Sequence, residues 1–208
     1  MTDFQRFKGA AKKLDDIDIP MIAKTIDVGE DELHAIIEVE TSGGGFDKQD
    51  RPKMLFEPHV FYRQLEHKQH QRQRAIDQGL AYKKWGTKPY PPDSYPRLQN
   101  AMIIDESSAL QSCSWGLGQI MGFHYKMLGY ESPQELVWKF MEDEEYHLVA
   151  MVKFIEANNI DDDLRRHDWA AVARVYNGTG YAKNKYDVKL REAYAKWSKI
   201  KDTPIEGV

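Results

Sequence analysis

Leu33-His34-Ala35-Ile36-Ile37-Glu38-Val39-Glu40-Thr41-Ser42-Gly43-Gly44-Gly45-Phe46 is the stretch on which the fold turns. Leu33, Ile36, Ile37 and Glu40 stand at i, i+3, i+4 and i+7, so they share one face of a helix. The spacing predicts a helix from about Glu30 to Glu40. Three glycines end it, because each loses more backbone entropy in a helix than any other residue. The shared face is apolar except for Glu40, while Glu38 points to the opposite side. An acid on a core-facing stripe is unusual, since burying an unpaired carboxylate is costly. Burial and the partial negative charge of a helix C-terminus both oppose ionisation, so the Glu40 pKa is expected to rise. A general acid working near neutral pH needs such a shift. The bland alternative is a helix-end Glu bonded to the glycine loop.

Working outward, Phe4, Phe7, Ala11 and Leu14 recur at helical spacing and predict an amphipathic helix over 3–14. Residues 46–57 read as a loop leading to a short strand or hairpin, and Pro58 opens a helix through Leu65. Residues 67–98 are polar and basic, then rich in proline, and are expected to be extended and irregular. Helical pattern resumes from Leu98 to Gln111. Ser114-Trp115-Gly116 looks like a turn before a helix starting near Leu117. Ser132-Pro133-Gln134-Glu135 carries a cap, a first-position proline and a first-turn acid, and should start a helix running to about Asn158. A shorter helix covers Trp169 to Tyr176. The last spans roughly Asn184 to Ile200, with Tyr186, Leu190, Tyr194 and Trp197 on one face. The sum is an α+β fold, predominantly helical, with a small β-hairpin after the Glu40 helix. It is read as one domain over 1–208, with 1–29 a helical segment packed on it.

The 208 residues suffice for one sizeable core, and 41% hydrophobic with 30% charged residues is ordinary for a globular protein. A net charge of −4 excludes a bulk electrostatic attraction to nucleic acid. The single cysteine, Cys113, can form no internal disulfide and reads as a small buried residue. No apolar run approaches a membrane span, and the N-terminus shows no secretory pattern. A monomer made in the cytosol is expected; if its substrate lies outside the membrane, a holin-type protein must release it. From Glu131 to Asp163 there are ten acidic and two basic residues, whereas from Lys183 to Lys201 there are seven basic and two acidic. The basic segment is either a solvated helix face or a contact for an anionic envelope.

Three further segments bear on chemistry. Glu40-Thr41-Ser42-Gly43-Gly44-Gly45-Phe46 resembles the Glu-Ser motif ending the catalytic helix of goose-type lysozymes and lytic transglycosylases, with Thr41 intervening. Ser114-Trp115-Gly116-Leu117-Gly118-Gln119-Ile120-Met121 resembles their Gly-Leu-x-Gln-Ile-Met signature. Ala173-Arg174-Val175-Tyr176-Asn177-Gly178 resembles their Ala-Tyr-Asn-Ala-Gly signature. Taken whole, the chain from about Leu33 onward is most similar to the phage endolysin N-acetylmuramidase family. The resemblance implies a lysozyme-like fold and cleavage of the β-1,4 bond between N-acetylmuramic acid and N-acetylglucosamine in peptidoglycan glycan strands. Glu40 would then be the acid, with Ser42, Trp115, Gln119, Tyr176 and Asn177 at the substrate. A lytic transglycosylase, which releases 1,6-anhydro sugars with one Glu, is the nearest rival. An inactive peptidoglycan-binding phage protein is another.

Each of these residues also has a structural reading. Gln119 could offer donor and acceptor to a sugar, or tie its turn to the Glu40 helix. Tyr176 could line a cleft, or be buried with its hydroxyl satisfied. Trp115 could stack on a pyranose, or sit in the core. A glycosidase usually needs a second carboxylate. Glu57, in Met54-Leu55-Phe56-Glu57-Pro58-His59, is the leading candidate, with Asp47 and Asp50 as loop alternatives. Otherwise Glu57 bonds the hairpin or pairs with Arg63. His67 and His70 lack the further ligands of a zinc site, so no metal or other cofactor is expected.

Overall fold

A computed structural model of the chain describes residues 6–41 and 44–205. Its helices run Asp18–Thr25 (α1), Glu30–Thr41 (α2), Pro58–Gln64 (α3), Gln69–Asp77 (α4), Tyr95–Gln111 (α5), Pro133–Glu142 (α6), Glu144–Ala157 (α7), Asp161–Arg165 (α8), Trp169–Tyr176 (α9) and Tyr186–Trp197 (α10). Strands Met54–Phe56 (β1), Cys113–Trp115 (β2) and Ile120–Met121 (β3) form one antiparallel sheet in that order. The fold is α+β and predominantly helical, as the sequence implies. The hairpin, however, is closed differently. β1 pairs with β2, nearly sixty residues on, in the register Leu55↔Ser114, and the true hairpin is β2–β3. Residues 117–119 therefore make a turn, not the start of a helix.

Two apolar clusters hold the elements together. One gathers Phe56, Phe61, Leu98, Leu110, Trp115 and Phe140 around α5 and the sheet. The other gathers Leu33, Ile36, Ile37, Met151, Ile155 and Val172 around α2 and α7. Tyr176, at the end of α9, packs against both and marks the seam between them.

Three helix expectations are corrected. The described part of 3–14 is not helical: Phe7 and Ala11 have φ of 55° and 48°. Asp143, extended at φ −151° and ψ 135°, breaks the long helix expected over 133–158 into α6 and α7. The break frees the carbonyls of Met141 and Glu142, which accept from Ala11 N–H and Lys12 N–H at 3.0 Å each. That pairing outcompetes the local helix, and Phe7 buries its ring against Tyr95. Conversely, α4 forms in a stretch expected to be irregular. Ala75 is its single buried residue, so no apolar stripe announced it.

The Ser132 cap is as expected: its hydroxyl accepts from Glu135 N–H at 3.1 Å. So is the apolar face of α10, which packs on α2 rather than facing outward. Leu190 is buried, and the Trp197 ring stacks on His34 at 4.1 Å while its indole N–H donates to Glu38. This stripe is therefore not available to lie on a membrane. Trp197→Ala is expected to cost about 2 kcal/mol in urea unfolding, less than the roughly 3–5 kcal/mol of a fully buried aromatic because the ring is half-buried. Charge reversal at the exposed Lys199 or Lys201 should stay within about 0.5 kcal/mol. Among the described residues no helix is long and apolar enough to cross a membrane.

Candidate functional site

Glu40 occupies the last turn of α2, and the end of α9, packed in the same apolar cluster, reaches it. Asn177, the residue that ends α9, donates from Nδ2 to Glu40 Oε1 at 2.7 Å. Gly178, at φ 81°, lets the chain leave the helix there and so fixes where Asn177 points. Burial pushes the Glu40 pKa up to about 7, against the opposing pull of the Asn177 hydrogen bond and the Lys189 charge. The Tyr176 hydroxyl donates to the Gly118 carbonyl at 2.8 Å. Burial and the neighbouring Glu40 charge raise the Tyr176 pKa well above its usual value. Tyr176 is thus a partly buried tyrosine with its hydroxyl satisfied, and Asn177 is the member of the pair that touches the acid. The side-chain oxygen of Asn177, Oδ1, is buried with no partner among the described residues.

Glu57 stands at the N-cap of α3, yet its carboxylate makes no cap bond. It accepts a short hydrogen bond from the Tyr90 hydroxyl, and His59 Nδ1 lies 3.2 Å from Oε2. Its partners are these two and not Arg63. Burial first, and then the Glu57 carboxylate, drive the Tyr90 pKa well upward. Glu57 and Tyr90 line a cleft of about 440 Å³ whose opposite wall includes Asn177, Lys183 and Tyr186. A larger hollow of about 1110 Å³ beside His34 and Trp197 is lined by Ile37 and Glu38 of α2 but by neither Glu40 nor Glu57.

The remaining candidates separate. Trp115 is fully buried and its indole N–H donates to the Leu110 carbonyl at 3.1 Å, so it cannot stack on a sugar. It is a core residue of the sheet. Gln119 is committed internally: Nε2 donates to the Gly116 carbonyl at 3.0 Å, and Oε1 accepts from the Ser114 hydroxyl. Asp47 is held by Arg51 at 2.7 Å and caps its own loop by accepting from Gln49 N–H. Asp50 is exposed in the same turn. Ser42 lies outside the described residues. His67 and His70 gather no donors, and the described residues hold no cluster of three or more His, Cys, Asp or Glu suited to a metal.

Sequence reasoning missed the parts that hold the end of α2. Lys53 N–H donates to the Gly45 carbonyl at 2.6 Å, and the Lys53 carbonyl accepts from Gly116 N–H at 2.8 Å. Its ammonium donates to the Thr41 carbonyl at 2.5 Å, satisfying an orphan acceptor at the negative end of the helix. Glu144, buried at the start of α7, accepts from Gly45 N–H and from Leu14 N–H. His147 is fully buried, and burial lowers its pKa to about 4, so it is neutral and fills space between Gly45 and Gly116. A Cβ at either glycine would stand within 2.7 Å of that ring, and Gly116 also needs its φ of 67°. None of these side chains carries a pattern at fixed spacing that would have singled it out.

The fold is lysozyme-like, and comparison with known proteins places the chain more closely. The N-acetylmuramidase family matches residues 30–198, so the chain belongs to that family and is a peptidoglycan hydrolase. The crystal structure of the Burkholderia AP3 phage endolysin superposes with a TM-score of 0.79 at 37% identity, covering 91% of this chain and 73% of that one. No curated protein matches.

Proposed function

We propose that this chain is an endolysin that hydrolyses the β-1,4 bond between N-acetylmuramic acid and N-acetylglucosamine, working as one catalytic unit. The observation that carries the reading is a carboxylic acid with a pKa near 7, Glu40, bonded to Asn177 in the wall of a cleft that also holds Glu57. Glu40 protonates the departing glycosidic oxygen. The Asn177 N–H engages Oε1, which leaves the proton to Oε2. Glu57, held by the Tyr90 hydroxyl, activates water or stabilises the oxocarbenium-like transition state. The exposed lysines of α10 add positive charge toward an anionic wall.

Digestion of purified peptidoglycan, followed by mass spectrometry of the fragments, tests this directly. Hydrolysis adds one water per cut and leaves reducing N-acetylmuramic acid ends. Fragments carrying 1,6-anhydro ends would instead make the enzyme a transglycosylase, and a blank zymogram would leave only a binding role.

The pH profile has a defined sign. The acid works protonated, so kcat/KM should fall as pH rises through about 7, the Glu40 value. The Asn177 bond favours the charged form and lowers that pKa. Removing it in Asn177→Ala should therefore move the alkaline limb to higher pH, by about half a unit to one unit for an ordinary hydrogen bond. A limb that stays in place would detach Asn177 from the titration of the acid.

A further inference from the structure

The cleft has an aromatic wall that the proposed chemistry leaves idle. Trp85 is 61% exposed, whereas Trp115 is completely buried. It sits in a tight turn closed by Thr87, whose hydroxyl donates to the Lys84 carbonyl at 2.6 Å, and Gly86 follows it at φ 72°. The turn projects the indole into the same cleft as Glu57, Tyr90 and Asn177. Beside it in the cleft, the Tyr90 hydroxyl donates to Glu57. The turn thus holds the indole at the cleft while leaving most of it in water.

Leaving a large apolar ring in water is unfavourable, and a convergent apolar face beside polar groups is how small-ligand sites are built. A pyranose offers the complement: an apolar face of C–H groups and a polar rim. Across the cleft, Asn177, Lys183 and Tyr186 supply polar groups for such a rim. We propose that Trp85 is the stacking platform for an N-acetylated pyranose of the glycan strand. This rests on the muramidase reading and assigns a substrate-binding residue to its cleft. Trp85 is a binding residue, not a catalytic one, and acts on affinity.

The test uses the full chain. In a Glu40→Gln background, which binds without cutting, calorimetry follows titration with an N-acetylglucosamine tetramer and with solubilised glycan strands. Adding Trp85→Ala should weaken both affinities at least about tenfold, the usual cost of truncating an aromatic anchor. Trp85→Phe should keep most of the affinity. Trp138→Ala, which removes a tryptophan 51% exposed on α6 outside the cleft, should change nothing. In the otherwise unaltered enzyme, Trp85→Ala should raise KM by a similar factor and leave kcat within about threefold. Unchanged affinity and KM would overturn the platform, as would an equal loss in Trp138→Ala or a loss confined to kcat. Failure of the muramidase reading looks different: the unaltered enzyme would not cut peptidoglycan, or Glu40→Gln would cut it normally.

Discussion

Glu40→Gln is expected to lower the turnover of peptidoglycan by about 10²–10⁴-fold or more while leaving the protein folded. The amide keeps the shape of the acid and can still accept from Asn177 Nδ2, but it has no proton to give. The same substitution should change stability in a pH-dependent way. The folded-state pKa of Glu40, about 7, lies above the ordinary 4.5. Between those values the folded protein binds more protons than the unfolded chain. Wild-type stability therefore falls as pH rises through this window, and the loss is complete above pH 7. The neutral amide escapes that loss. Glu40→Gln should melt near wild type at pH 4 and above it at pH 8, by up to about 3 kcal/mol from the size of the shift. An inactive, more stable variant is what a strained acid predicts. Near-normal turnover would remove Glu40 from the mechanism. Equal melting at both pH values would say that its proton is held no differently in the folded chain.

Much of this site was legible in the chain because its parts are local. The i, i+3, i+4, i+7 spacing around Glu40 is a property of a single helix. The Tyr176-Asn177-Gly178 run is a helix end: α9 stops at Tyr176 as read, and Gly178 follows at φ 81°. Misreadings arose where distant segments decide. Nothing near Met54 announces that its strand partner is Trp115. Nothing near Phe7 announces that free carbonyls wait at Met141 and Glu142. Trp115 was offered to a sugar because a motif contains it. It is core because the sheet and helices of the first cluster bury it completely, and only the fold could show that. Trp85, Tyr90 and Lys53 lie in irregular backbone, where no periodicity flags a side chain; the first two reach the cleft and the third the end of α2 through tertiary contacts. A pattern reader sees faces of helices. It does not see a lysine whose amide, carbonyl and ammonium each hold a different loop.

Glu57→Gln is expected to cost at least about 10²-fold in hydrolysis, the lower end of what a positioned base supplies. The isosteric amide is the fair comparison. It can still accept from the Tyr90 hydroxyl, and Glu57 caps α3 through backbone and not through its carboxylate. The fold should therefore survive, with melting within about 0.5–1 kcal/mol of wild type. Tyr90→Phe is the companion variant: it leaves the carboxylate but removes the hydroxyl that orients it. A general base that acts only when aimed should lose activity in both variants, more in Glu57→Gln than in Tyr90→Phe. A carboxylate acting at a distance through its charge should lose activity in Glu57→Gln alone. A drop below about tenfold in Glu57→Gln would leave the second role to water held in the cleft. The loop alternatives offer little, since Asp47 is already paired with Arg51 and Asp50 is turned out to solvent. Product masses then decide between the chemistries that remain. Retained activity with 1,6-anhydro ends would mean that Glu40 works alone as acid and then base, with the sugar's own hydroxyl replacing water as the attacking group. Lost activity with reducing ends in the residual product would mean that Glu57 places the water.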